Sequence, residues 1–393
     1  MKTIYSLCLA VLLFSCSDGA ENTKSISIEF DDNSIIQTCD TDFLAFEGEH
    51  RIKTAELSAA SSRYWDFVGP EKGFDVPTLA VFDLNAKQIN YYNVETGENY
   101  KTINLDFNGK DKIYFANFPY SSFNVLSKDE LLLFDGQNAL ATLLDGEGSF
   151  KGRLRSSDPS VNISISAVSS IVKHNDAYIS FARPLMDSVS FDSYDGKGKY
   201  LALLDLEERS AKFIESSLPE PYTSTIFGIS AHNYQLFQGL KGEVMASFPA
   251  SPLLHQLDMS NYQWKPFGQV LDVLNAVKPL APNERNNSSS YDSNKFYLLN
   301  DLYEELYVDN VNDYYLRIGK RKIAEENYIP NTWPEVQYTL SFQDQNGNVT
   351  CNCEMNSSGG FYVFSEGYIY ISQSTGNLTS DDEMVFHKYK YLN

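Results

Sequence analysis

The stretch spanning residues 79–107, LAVFDLNAKQINYYNVETGENYKTINLDF, narrows the folds open to this chain more than any other. It reads strand, turn, strand, turn, strand. Leu79, Val81, Phe82 and Leu84 form a compact apolar run that Asn85-Ala86-Lys87-Gln88 interrupts. Residues 89–94 are rich in β-branched and aromatic side chains, and Glu95-Thr96-Gly97-Glu98 breaks them. Residues 101–107 then alternate, with Ile103, Leu105 and Phe107 on one face and Thr102, Asn104 and Asp106 on the other. Apolar runs of this length with polar, Gly-containing breaks are antiparallel strands joined by tight turns. Aromatic side chains suit pleated, half-buried surfaces, and the chain carries 26 Tyr and 25 Phe.

The pattern recurs. A second copy runs over residues 123–154, with Asp135-Gly136 and Asp145-Gly146 at its turns, where Gly takes positive φ at little cost. A third covers residues 170–214, a fourth 235–267, a fifth 295–342 and a last 349–392. Between the fourth and fifth, Val270, Leu271, Val273, Leu274 and Val277 stand at helical spacing and predict a short helical insertion. Residues 55–64 have weak helical character, and residues 281–294 read as a surface loop. About six copies of roughly 50–65 residues are blades or coils of a repeat architecture. Four-stranded blades closed around an axis fit best, because closure leaves only short, protected edges. The expected fold is therefore all-β, a β-propeller of six four-stranded blades with short helical insertions; the pattern leaves room for a seventh. Closure predicts that the N-terminal strand pairs with the C-terminal ones, making residues 27–393 one domain.

The N-terminus is of another kind. Met1-Lys2 is followed by a short apolar run and then by Leu13-Phe14-Ser15-Cys16. The run is too brief to span a bilayer as a permanent helix and is the h-region of a signal peptide. It resembles a lipoprotein signal: residues 1–15 are removed, Cys16 takes lipid, and residues 16–26 form a polar tether. Two or three acyl chains anchor stably where one is marginal. Ser17, in place of Asp, points to outer-membrane sorting; Asp18 and Glu21 form a thin acidic patch that leaves the leaflet open.

The full sequence carries a formal charge of −21, and cleavage before Cys16 removes Lys2 and no acid. Nucleic acid and anionic lipid call for clustered Lys and Arg, and no basic run here exceeds Lys320-Arg321-Lys322. Of five Cys, Cys8 leaves with the signal and Cys16 takes lipid, so Cys39, Cys351 and Cys353 remain. One disulfide at most is possible, with one thiol spare. Cys351-Asn352-Cys353 puts both thiols on one strand face. It reads as half of a metal site, as two small buried residues, or as one partner of Cys39; no further ligands are visible, and no metal is assigned.

No nucleotide loop or hydrolase elbow is present, and no cofactor is expected. His50, His174, His232, His255 and His387 are scattered singly. His232 begins a repeat, so it is a candidate to face the central channel. Trp65, Trp264 and Trp333 are candidates for stacking on sugars, with Trp333 the first choice because Asn331-Thr332-Trp333-Pro334 reads as a loop. Three acidic turns, at residues 192–196, 309–313 and 344–348, offer oxygens at the spacing that suits Ca²⁺, but none has the full loop pattern.

Three features together are similar to those of a known group: the lipoprotein start, VFDLNAKQINYYNVETG, and the ending from Phe361-Tyr362-Val363-Phe364 to His387-Lys388-Tyr389-Lys390-Tyr391-Leu392. The chain resembles an uncharacterised family of Bacteroidota-type β-propeller lipoproteins, the domain-of-unknown-function family 4221. The resemblance implies an envelope protein with a six-bladed propeller. It carries over no site residue except Cys16. Two functions are compatible with such a chain. One is an outer-membrane lipoprotein presenting a propeller face to a glycan, peptide or partner protein. The other is a hydrolase or lyase acting on a polysaccharide or peptide in the axial cleft. Converging, perturbed carboxylates at the axis favour the enzyme, and a lining without them favours binding.

Overall fold

In the computed structural model of the chain, the described residues are 28–29, 34–54, 64–107, 113, 115, 121–135, 140–155, 161–164, 171–175, 177–184, 197–280, 292–373 and 383–392. Cys16, the signal, most of the segment with weak helical character and the acidic turn at 192–196 lie outside them.

Three N-terminal strands come first: β1 (Ile28–Glu29), β2 (Ile36–Cys39) and β3 (Leu44–Lys53). Blade 1 follows as β4 (Trp65–Val68), β5 (Thr78–Asp83), β6 (Gln88–Asn93) and β7 (Asn99–Asn104). Blade 2 is β8 (Ser122–Ser127), β9 (Glu130–Asp135), β10 (Leu140–Asp145) and β11 (Phe150–Arg155). In blade 3 the inner strand comes in two pieces, β12 (Val161–Ser164) and β13 (Val172–His174), both paired with β14 (Ala177–Pro184), then β15 (Lys197–Asp205) and β16 (Ser210–Ser217). Blade 4 is β17 (Gln235–Gln238), β18 (Val244–Ser247), β19 (Leu254–Asp258) and β20 (Gln263–Phe267). The helix α1 (Ser293–Leu299) precedes blade 5: β21 (Leu302–Asp309), β22 (Tyr314–Lys320), β23 (Tyr338–Gln343) and β24 (Val349–Met355). Blade 6 is β25 (Tyr362–Ser365), β26 (Tyr368–Ser372) and β27 (Glu383–Tyr391), completed by β3 from the N-terminus.

The molecule is thus all-β, with six antiparallel blades. Closure is as expected from the sequence: β3 pairs with β27 from Lys53↔Glu383 to Leu44↔Tyr391. The N-terminus also extends blade 5, because β2 pairs with β24 and β1 with β2. A disulfide between Cys39 and Cys353 fastens that extension across 314 residues of sequence.

Each blade meanders outward from the axis, so every first strand runs the same way. The first strands touch: β4 with β8, β13 with β17, β17 with β21, and β21 with β25. The turn after each first strand therefore lies at one end of the ring. Second strands face a neighbouring blade on both sides, as β5 does with all six residues buried. This is why they read as continuous apolar runs rather than alternating ones. Outer strands such as β7 bury only Ile103.

The turn between third and fourth strands repeats one device. Asn93, Asp145, Asp205, Asp258 and Asp344 each turn a side-chain oxygen back on backbone N–H groups two to four residues on, as when Asp145 Oδ1 accepts from Glu147 and Ser149 at 2.9 and 2.8 Å. Such local bonds favour a turn over continued strand.

Three expectations need correction. Residues 269–280 are not helical. Their N–H groups go to distant partners, Leu271 to Pro252 O, Asn275 to Asp301 Oδ2 and Leu280 to Ile226 O, which leaves no helical ladder. The helix forms instead at Ser293–Leu299, across the end of the expected loop and the start of a run expected to be strand from Lys295, where Asp292 caps it by accepting from Lys295 N at 3.0 Å. Finally, Val349–Met355 closes blade 5 rather than opening blade 6.

Candidate axial ligand site

A cavity of about 280 Å³ opens on the axis at the end of the ring that carries the first-strand turns. Blades 1, 4, 5 and 6 build it: Trp65, Asp66, Phe67, Glu71 and Lys72; Phe237, Gln238, Gly239, Leu240 and Gly242; Leu306, Tyr307, Val308 and Asn310; and Tyr362 and Phe364. Two roomier clefts, of about 390 and 610 Å³, lie away from these axial strands, the first around Arg321 and Glu354 and the second around His174 and Asp205.

Six of the lining side chains are aromatic. Trp65 and Tyr307 lie nearly parallel, with centroids 6.1 Å apart, and Tyr307 leans on Tyr362 at 4.4 Å. Phe67 meets Phe364 edge to face at 5.3 Å. The hairpin at residues 239–242 forms one lip. A Cβ on Gly239 would fall 2.8 Å from Cγ of the buried Met245, and Gly242 sits at φ +82°, so both positions favour glycine.

The charged residues are already committed. Asp66 Oδ2 accepts from Lys72 Nζ at 3.2 Å and from Val125 N at 2.8 Å, tying blade 1 to blade 2. Burial raises the Asp66 carboxyl, opposed by the Lys72 ammonium. Glu71 Oε1 takes Gly69 N at 3.0 Å. Gln238 and Asn310 are different. Both are exposed, they stand at the ends of β17 and β21 on neighbouring blades, and neither carboxamide bonds another described residue.

Behind the wall, Tyr307 donates to Glu305 Oε2 at 2.7 Å. The register of β21 shifts between Tyr303 and Glu305, so Glu304 is the extra residue of a bulge and two acids sit side by side. Burial pushes the Glu305 carboxyl up to about 7, partly offset by the Tyr307 hydroxyl and reinforced by Glu304. Burial also raises Glu304, opposed by Tyr297 and Lys320. On blade 5, Asp309 rises to about 6 by burial despite its bonds to Asn312 and Tyr391.

These shifts fix a pH dependence. From about pH 4.5 to 7 the folded chain keeps protons on Glu305 and Asp309 that the unfolded chain has lost, so stability falls as pH rises through that window. Glu305→Gln is expected to remove a share of the fall on the order of 2–3 kcal/mol. Urea unfolding of both proteins at pH 4.5 and 7.5 measures it; parallel losses would refute the assignment.

The residues singled out in the sequence scatter. Trp65 lines the cavity but is only 8% exposed. Trp264 packs against Phe181 and Phe248 in the core. Trp333 is 68% exposed at the opposite end of the ring, edge-on to Tyr297 at 5.9 Å. His232 is not among the residues lining the cup; it is buried against Tyr222 and Tyr234 between blades 3 and 4. In Cys351-Asn352-Cys353, Cys353 pairs with Cys39, and Cys351 is a buried thiol 3.7 Å from Cys353 Sγ, pushed up to about 12 by burial. The acidic turn at 344–348 spends its Asp on the turn itself, and Asp309 spends its own on Asn312 and Tyr391. Gln238, Asn310 and Lys72 were missed, since nothing in their local sequence marks the inner end of a blade.

Fold and cavity together define a six-bladed β-propeller with an aromatic axial cup. A member of the duf4221 family from Bacteroides vulgatus ATCC 8482 has the same fold, at TM-score 0.71 and 14% identity over 89% of this chain and 98% of that one. A protein of Bacteroides fragilis NCTC 9343, described as a candidate exported protein, aligns at TM-score 0.53 and 10% identity over 93% of this chain and 98% of that one. No protein-family model and no curated protein matches the sequence. Among the described residues no helix is long and apolar enough to cross a membrane.

Proposed function

We propose that this chain is a duf4221-type lipoprotein of a Bacteroidota envelope, tied to the outer membrane through lipid on Cys16, and that its propeller is a binding module holding its ligand in the axial cup. One observation carries the binding reading. Among the described residues, those lining the cup include no His, Ser, Thr or Cys, and its two acids are held by Lys72, Val125 N and Gly69 N. A nucleophile with an adjacent base, or a facing acid and base, is what a hydrolase or lyase needs. An aromatic cup with a few polar groups suits recognition instead. Export and anchoring rest on the residue pattern around Cys16, and a fold shared with a Bacteroides protein described as a candidate exported protein is consistent with export.

Two measurements test this. A thermal-shift screen of the full chain against envelope glycans and peptides should find a ligand that raises Tm and is recovered unchanged by mass spectrometry; turnover of that ligand would overturn the binding reading. Cys16→Ser should move the protein from the detergent phase of a phase-partition experiment to the aqueous phase, and unchanged partition would refute the anchor.

A further inference from the structure

We infer that the axial cup takes one ring of an uncharged saccharide, a deduction that rests on the cup being the ligand site. Its chemistry selects among ligand classes. Phe67 is half-buried and offers a ring face, while Trp65, Tyr307 and Phe364, nearly buried, form the aromatic backing of the wall. The C–H face of a pyranose is weakly positive and packs on the negative face of such rings. Gln238 and Asn310 stand on adjacent blades, and each carboxamide donates and accepts. A sugar hydroxyl also donates and accepts, so either carboxamide can bond one.

Charge argues the same way. An anionic ligand would meet two acids, Asp66 and Glu71, against the one Lys72 ammonium, which bonds Asp66 at 3.2 Å. At about 280 Å³ the cup lies just below the range that holds drug-sized ligands, which suits a single ring rather than an oligomer. A ligand of that size binds weakly, with Kd on the order of 1 mM.

Saturation-transfer NMR of the full chain tests it, with the methyl glycosides of glucose, galactose, mannose and N-acetylglucosamine, and with N-acetyltyrosinamide as a peptide-like probe. At least one glycoside should receive saturation through its ring C–H protons. Gln238→Ala combined with Asn310→Ala should weaken that binding at least tenfold while leaving Tm unchanged, since both side chains are exposed. Binding of N-acetyltyrosinamide alone, lost in the double variant, would overturn the saccharide assignment and leave the cup standing as the site. Glycoside binding that the double variant does not change would overturn the cup as well. Failure of every glycoside to bind overturns the inference.

Discussion

Phe248→Ala is expected to destabilise the propeller by roughly 3–5 kcal/mol, a large part of the roughly 5–15 kcal/mol that holds a typical domain. Phe248 is fully buried just beyond β18. Its ring sits 5.2–6.0 Å from those of Phe181, Tyr222, Tyr234, His255 and Trp264, so one side chain joins blades 3 and 4. Truncation removes transferred area, leaves a cavity, and loses five ring contacts whose geometry adds to simple burial. The backbone here also carries weight. Arg317 of β22, fully buried, donates through Nη2 to Phe248 O at 3.0 Å and to Ser251 O at 2.8 Å, while its guanidinium lies 3.8 Å above Tyr303. A collapse at 248 would therefore disturb the seam with blade 5. Phe248→Leu should cost clearly less, since most of the volume stays. Urea unfolding with an unchanged m-value measures both; a loss under about 1 kcal/mol for alanine would mean the seam does not depend on this ring.

Removing the disulfide by Cys39→Ala with Cys353→Ala is expected to cost roughly 2–5 kcal/mol. The bridge spans 314 residues, so it confines the unfolded chain strongly. The variant should still fold, because the β3–β27 ladder closes the ring independently of β2. Cys351→Ala should leave the bridge intact and cost less, because only one buried Sγ is lost. Non-reducing peptide mapping with denaturant titration separates these outcomes; equal losses for the two variants would contradict a Cys39–Cys353 pairing.

The fold class was legible because blade physics is written locally. Continuous apolar runs such as residues 79–82 and 131–134 read as doubly covered strands, and Asp145-Gly146 reads as a turn. Blade phase was harder to read. The strand that opens blade 1, Trp65–Val68, is four residues long, and Val349–Met355 looks the same as a first or fourth strand until β3 is known to complete blade 6. That pairing joins residues more than 300 positions apart, and no local pattern encodes it. The helical spacing at Val270 to Val277 lost to backbone bonds with Pro252, Asp301 and Ile226, a tertiary override that propensity cannot foresee. The axial cup was least legible. Its members come from the ends of four first strands, and Gln238 or Asn310 looks like any loop amide until the ring brings the two ends together.

Methyl NMR during titration with the ligand found by the thermal-shift screen tests the central claim most directly. Leu240, Leu306 and Val308 line the axial cup, whereas Val270 and Leu392 are exposed elsewhere. A ligand seated in the cup should shift the methyl signals of the first three and leave the other two unmoved. Shifts confined to Val270, Leu392 or other methyls remote from the axis, with Leu240, Leu306 and Val308 unchanged at saturation, would contradict it.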